Sequence, residues 1–267
     1  MFLVFAFLYA PILVLAMFSF NGSKSRIVWT HFTFDWYKML FSNQAILSAA
    51  ENTLIIALVA AAISTVLGTA ASFGIRKSRK WIKRIVMNVT NLPMINPEIV
   101  TGVSMMMLFV TIYKYTGFLK PGIGTLIIAH TTFCLPYVIL SVMPKIRQLD
   151  ENIYEAARDL GCGSTKSFLK VILPQITSGI ITGAIMAFTI SLDDFVISYF
   201  VGSTTQTLPM AIYSMTRKRI SPEVNALSTI FFGVILFLLI IVNFRELKEK
   251  QETKGKKQRI KGRNQKN

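Results

Sequence analysis

Apolar residues run along this chain in six stretches of roughly bilayer length, each followed by a polar segment. A helix needs about 20 mostly apolar residues to cross the hydrocarbon of a membrane. Runs of that kind fall at about 3–20, 53–75, 85–113, 124–143, 180–201 and 226–243. They predict an all-α membrane domain of six transmembrane helices over residues 1–243, with a polar loop at about 144–179 and a polar tail at 244–267. The third run is the least regular, since Asn88, Asn91, Pro93, Asn96, Pro97 and Glu98 precede its fully apolar half. The first run resembles an export signal in position only. It has no charged leading segment and exceeds the usual apolar length of a signal, so it reads as a retained span.

Composition agrees with the pattern. Charged residues make up 16% of the chain, well below the roughly 25% of a soluble domain. Their distribution orients the spans, because Lys and Arg in short loops stay on the cytoplasmic side. With six alternating crossings, Arg76, Lys77, Arg79, Lys80, Lys83 and Arg84 share a side with Lys145, Arg147, Arg158, Lys166, Lys170 and the basic tail. That side is the cytoplasm, which also places both termini there. Arg217, Lys218 and Arg219 dissent from an external loop. The tail has no apolar periodicity and reads as disordered chain beside an anionic surface, supplying much of the net +16. A nucleic-acid reading of that charge lacks the aromatic interleaving of a binding face.

Several motifs are excluded by their own chemistry. Gly161–Ser167, GCGSTKS, lacks the Gly before Lys166 and the preceding strand that a phosphate-binding loop needs. His130 and Cys134 stand four apart on one helical face, but two ligands make no metal site, and a hydrogen-bonded His within a bundle is the simpler reading. Cys134 and Cys162 fall in different environments and suggest no disulfide. Asn21-Gly22-Ser23 forms a short glycosylation sequon of the kind that arises by chance. There is no Ser/His/Asp set and no HExxH, so the chain is not expected to be an enzyme and no metal is expected on it.

The long loop ENIYEAARDLGCGSTKSFLKVILPQI carries more information. Asp150 can cap a helix supported by Glu151 and Glu155, Gly161 can end it, and Ser164 or Thr165 can start a second. Ala156 and Ala157 leave part of the first helix without bulk, and Leu160 adds an apolar contact. The result is either a docking element for another protein or an amphipathic connector lying on the membrane.

Glu155, Ala156, Ala157, Gly161, Val171, Leu173 and Pro174 have the spacing of the EAA loop, and the chain resembles the permease subunits of bacterial ABC importers. The family's usual Ile is Val171 here. HTTFCLPYVIL, SLDDFVISYF, LPMAIYSM and SPEVNALSTI are similar, more narrowly, to permeases of spermidine/putrescine importers. The resemblance implies a MetI-like ABC permease fold and a loop that forms a coupling helix in a groove of the ATP-binding subunit. The implied partners are two copies of that ATPase, a second related permease and an extracytoplasmic polyamine-binding protein. ATP and Mg would belong to the ATPase, leaving no cofactor on this chain, and the location would be the bacterial inner membrane. An EAA-type permease for another solute, such as ferric iron or an anion, and a non-transporting receptor or assembly factor are the rival readings.

Ser191–Phe200, SLDDFVISYF, sets two carboxylates in an apolar run. A charge at bilayer depth costs roughly 2.5–3.5 kcal/mol on insertion scales, so it faces a cavity, a partner or a pathway. Adjacent helical residues point about 100° apart, so one of Asp193 and Asp194 is expected to face a pathway. Moving a chain of ammonium groups requires carboxylates or aromatic faces in place of water. Glu98, after Asn96 and Pro97, is a further candidate, and Phe195 and Tyr199 share a face at i and i+4. The alternatives are that an Asp bonds to a neighbouring helix, that Glu98 caps a helix restarted by Pro97, and that the two rings pack. Met105–Met107 read as adaptable packing.

Overall fold

The computed structural model describes residues 2–23, 28–150, 152–218, 223–237 and 240. Apart from a single bridge between Asn21 and Phe32, the regular structure among them is helical. The helices are α1 (Phe2–Phe18), α2 (Asp35–Ser42), α3 (Gln44–Lys77), α4 (Lys80–Ile95), α5 (Glu98–Thr116), α6 (Ile123–Arg147), α7 (Asn152–Asp159), α8 (Ser164–Ser167), α9 (Leu173–Asp193), α10 (Val196–Val201), α11 (Leu208–Lys218) and α12 (Glu223–Phe237). Among the described residues, four helical stretches are long and apolar enough to cross a membrane, namely α3, α5, α6 and the continuous helix Ser164–Asp193. The apolar helices α1 and α12 are shorter over their described residues. The basic tail, Glu151 and Arg219 lie outside the described residues.

Three boundaries differ from the sequence expectation. The third run is not one segment. Pro97 has extended backbone (φ −56°, ψ 131°) and α5 begins directly after it, so residues 85–95 belong to the separate α4. Proline removes a backbone donor and pushes the residue before it out of helical geometry, which explains the break at Asn96. The fifth run starts earlier than expected. A π-helical turn, Phe168–Ile172, carries α8 into α9, and the Leu173 N–H reaches back to the Phe168 carbonyl. Pro174, which has no N–H to donate, follows one residue after the π-turn. The same run also ends its first helix at Asp193 and restarts at Val196, so SLDDF lies across a helix break.

The chain divides into two compact units. One comprises residues 1–60, 95–131 and 189–235. Its apolar core joins Leu40, Ile46, Leu208 and Leu227. Buried Asn21 organises the segment after α1, because its side chain donates to the Val28 carbonyl and accepts from the N–H groups of Ser23 and Thr30. The Trp36 indole donates to the Asn21 carbonyl (2.7 Å) and Thr53 Oγ1 accepts from the Leu208 N–H (2.7 Å). An Asn this enclosed is a structural residue, which removes the sequon reading.

The other unit comprises residues 61–94, 132–188 and the described residues from 236 onward. Ile75, Ile139 and Met143 form its core. Gly179 and Gly183, spaced as GxxxG, let α9 approach α6 closely. A Cβ on Gly179 would lie 2.8 Å from Lys145 Cγ and 3.0 Å from the Ser141 carbonyl, and one on Gly183 would lie 3.2 Å from Val138 Cα. Small residues at this spacing are the usual means of bringing two helices together in lipid, where apolar contact alone gives little preference.

Candidate functional site

The break between α9 and α10 separates the two carboxylates more completely than a helix would. Asp193 is the last residue of α9 and its side chain is exposed. Asp194 lies in the break and is 8% exposed. Its carboxylate accepts from the N–H groups of Ile197 (3.3 Å) and Ser198 (2.8 Å), donors that the start of a helix otherwise leaves unpaired. His130 of α6 stands beside it, with Nε2 3.5 Å from Asp194 Oδ2. The imidazole Nδ1 is 2.7 Å from Ser191 Oγ and Nε2 is 3.1 Å from Ser198 Oγ. Asp194 therefore takes the neighbouring-helix role that the sequence left open, and Asp193 is the exposed member of the pair.

Glu98 opens α5, and α5 packs on α10 through Gly102 one turn later. There a Cβ would meet Phe200 Cδ2 at 3.1 Å and the Val196 carbonyl at 3.5 Å. Residues four apart share a helix face, so Glu98, which is exposed, lies on the side of α5 that packs on α10. Glu98 also sits in the first turn of its helix, where a negative charge suits the helix dipole, although α5 has no side-chain cap. Asp193 is the reverse case. It adds negative charge to a helix C-terminus that is already negative, which favours a cation at that point.

Phe195 and Tyr199 do share a face, with ring centroids 5.4 Å apart. Phe195 also meets Tyr213 of α11 at 4.5 Å, and the Arg217 guanidinium lies 5.8 Å from the centre of the Tyr213 ring. Phe195 and Tyr213 border an open groove of about 430 Å³ whose other walls include Ile212, Phe231 and Phe232. Tyr199 is 51% exposed, so it is not closed into packing within this chain.

The long loop forms the expected helix, turn and helix. Asp150 Oδ1 accepts from the Asn152 N–H (3.0 Å) ahead of α7. Glu155 and Ala156 face outward, whereas Ala157 is buried. Gly161 has φ +83° and closes a Schellman turn, in which its N–H donates to the Arg158 carbonyl (2.9 Å) and that of Cys162 to the Ala157 carbonyl (3.1 Å). The second helix starts at Ser164, but Gly163 occupies its cap position and no side chain caps it. Leu160 is 85% exposed at the turn. Leu173 and Pro174 form the first residues of α9, past the π-turn. Behind α7 a cavity of about 440 Å³ is lined by Phe73, Ile153, Tyr154, Phe168 and Ile172. Arg76 fixes the preceding connection by donating to the Ile146 carbonyl (2.9 Å).

Residues 64–245 match the family described as "Binding-protein-dependent transport system inner membrane component". The chain belongs to that family. The match includes the loop of α7 and the break at Asp194. Relatives include the "Spermidine/putrescine transport system permease protein PotC" of Haemophilus influenzae, 36% identical over 242 residues, covering 90% of this chain and 92% of the relative. The "Putrescine transport system permease protein PotI" of Escherichia coli is 40% identical over 234 residues, covering 86% of this chain and 83% of the relative. These relatives are transport permease subunits of polyamine systems, not enzymes. A bacterial alginate ABC transporter in complex with an alginate pentasaccharide-bound periplasmic protein has a similar chain, with TM-score 0.69, 15% identity and coverage of 91% of this chain and 90% of that one. The MetNI methionine ABC transporter also has one, with TM-score 0.60, 17% identity and coverage of 77% and 95%. The fold of this family member is therefore that of an ABC importer permease.

Ser191, Ser198 and Tyr213 are the site residues that sequence reasoning missed. His130 is the hydrogen-bonded histidine expected from the sequence, but its partners were not foreseen. Its spacing to SLDDF, more than sixty residues along the chain, carries no local signal of contact.

Proposed function

We propose that this chain is the permease subunit that forms half of the translocation pathway of an ATP-driven polyamine importer of the inner membrane. The observation that carries the reading is Asp193, an exposed carboxylate on a helix C-terminus at a break within an apolar run. Phe195, Tyr199 and Tyr213 lie beside that break, and Glu98 opens the helix that packs on α10. A carboxylate and aromatic faces are the groups that replace water around an ammonium chain. The polyamine systems to which the relatives belong support the same substrate class.

In this reading six spans cross the membrane with both termini cytoplasmic, and α7 lies on the cytoplasmic side. Glu155, Ala156, Ala157, Gly161, Leu173 and Pro174 form the coupling element, which docks on a dimeric ATP-binding subunit. ATP and Mg belong to that subunit. A second related permease completes the pathway, and an extracytoplasmic protein delivers spermidine or putrescine.

The test is uptake of labelled spermidine and putrescine by cells that lack their own polyamine importers and express the complete transporter. Asp193→Asn is expected to reduce uptake strongly and Glu155→Ala to uncouple it from ATP hydrolysis, each at matched expression. An assembled, ATP-hydrolysing wild-type complex that moves neither polyamine would overturn the reading.

A further inference from the structure

We propose that His130 is a positioning residue, clamping the α9–α10 break so that Asp193 alone of the acidic pair is presented to a cationic substrate. The inference rests on the pathway role of Asp193 proposed above. A helix break at membrane depth exposes backbone groups that have no water to bond, and each costs several kcal/mol unless a protein group satisfies it. Asp194 satisfies two of them, the N–H groups of Ile197 and Ser198. That arrangement requires a carboxylate enclosed in protein, which in turn requires a partner.

His130 supplies it. One ring touches both sides of the break, through Ser191 in the last turn of α9 and through Asp194 and Ser198 on the α10 side. All four residues are buried, His130 at 2% exposure. The Ser191 and Ser198 hydroxyls each lie within hydrogen-bond distance of one ring nitrogen, and the Asp194 carboxylate stands 3.5 Å from Nε2. With the ring removed, Asp194 keeps its two backbone donors but loses the group that ties it to α6. The break can then rotate, and the helix position of Asp193 is no longer fixed. A clamp of this kind acts on where Asp193 points, not on the substrate directly.

The experiment introduces Asp193→Cys with Cys162→Ser into the full transporter, leaving buried Cys134 in place, and measures the rate of modification by a cationic methanethiosulfonate. Loss of the two hydroxyl hydrogen bonds that the ring makes across the break is expected to slow modification about tenfold or more in the His130→Leu background. His130→Gln retains a donor and is expected to recover most of the rate. Ser191→Ala and Ser198→Ala each remove one bond and are expected to give intermediate rates, which keeps the test informative if His130→Leu does not assemble. In parallel, with Asp193 intact, the same clamp variants are expected to raise the KM for spermidine while leaving the maximal rate comparatively unchanged. Wild-type modification rates and KM in all the clamp variants that assemble would overturn the proposal. If Asp193→Asn alone leaves spermidine uptake unchanged, the pathway reading fails instead, while the modification rates still decide whether His130 sets the geometry.

Discussion

Gly161 offers the sharpest test of the coupling loop, because its substitution changes backbone energy and little else. Its φ of +83° lies in the left-handed region, and a Cβ added there would have nothing within 4 Å. The effect of Gly161→Ala is therefore conformational, about 1–2 kcal/mol for placing an L-residue in that region. The turn is held by two backbone hydrogen bonds, from Gly161 to Arg158 and from Cys162 to Ala157. The helix it closes, α7, has eight residues, too few to be stable alone. A loss of this size shifts the ratio of formed to unformed turn by about 5- to 30-fold. The assay is ATP hydrolysis and polyamine uptake by the assembled transporter in a lipid bilayer, with substrate-loaded binding protein present. Uptake per ATP hydrolysed is expected to fall in Gly161→Ala and to fall further in Gly161→Val, since a β-branched residue is worse at positive φ. Gly161→Asn, which tolerates the left-handed region, is expected to retain most coupling. Equal coupling in the Ala, Val and Asn variants would refute the argument that left-handed geometry at this turn sets the pose of α7.

Leu160→Asp is expected to leave the thermal stability of the isolated permease unchanged, because the side chain is 85% exposed, yet to weaken co-purification of the ATP-binding subunit. Loss of stability in the isolated chain would show instead that Leu160 packs within the permease. Asn21→Ala is expected to lower stability by about 1–3 kcal/mol, since it leaves the Val28 carbonyl and the Ser23 and Thr30 N–H groups without their side-chain partner. Thermal unfolding of the detergent-solubilised protein measures it, and an unchanged midpoint would show that water replaces the amide.

The parts of this structure legible in the sequence are those set by local pattern. The apolar runs locate α3, α5 and α6, and the sequence Asp150, EAA, Gly161 marks the start and end of α7 because capping and left-handed turns depend on residues a few positions apart. The close approach of α9 to α6 at Gly179 and Gly183 was seen only in the structure. Two of the misplaced boundaries have one cause. Length and hydropathy report how much apolar chain is present but not where its hydrogen bonding is interrupted. Both interruptions that matter, at Asn96–Pro97 and at Asp194–Phe195, fall inside apolar runs.

The second interruption shows why the role of the acidic pair could not be divided from sequence alone. Regular helix geometry turns Asp193 and Asp194 about 100° apart but leaves both side chains on one continuous element, so either is eligible for the pathway. The distinction depends on His130, which is distant in sequence and stands beside Asp194. No proline or glycine marks this break. What permits it is a carboxylate able to take the N–H groups that helix termination releases, with an imidazole to hold the carboxylate. An acidic residue that looks unpaired in an apolar run can thus serve the backbone, and its exposed neighbour is then the one left to interact with a solute.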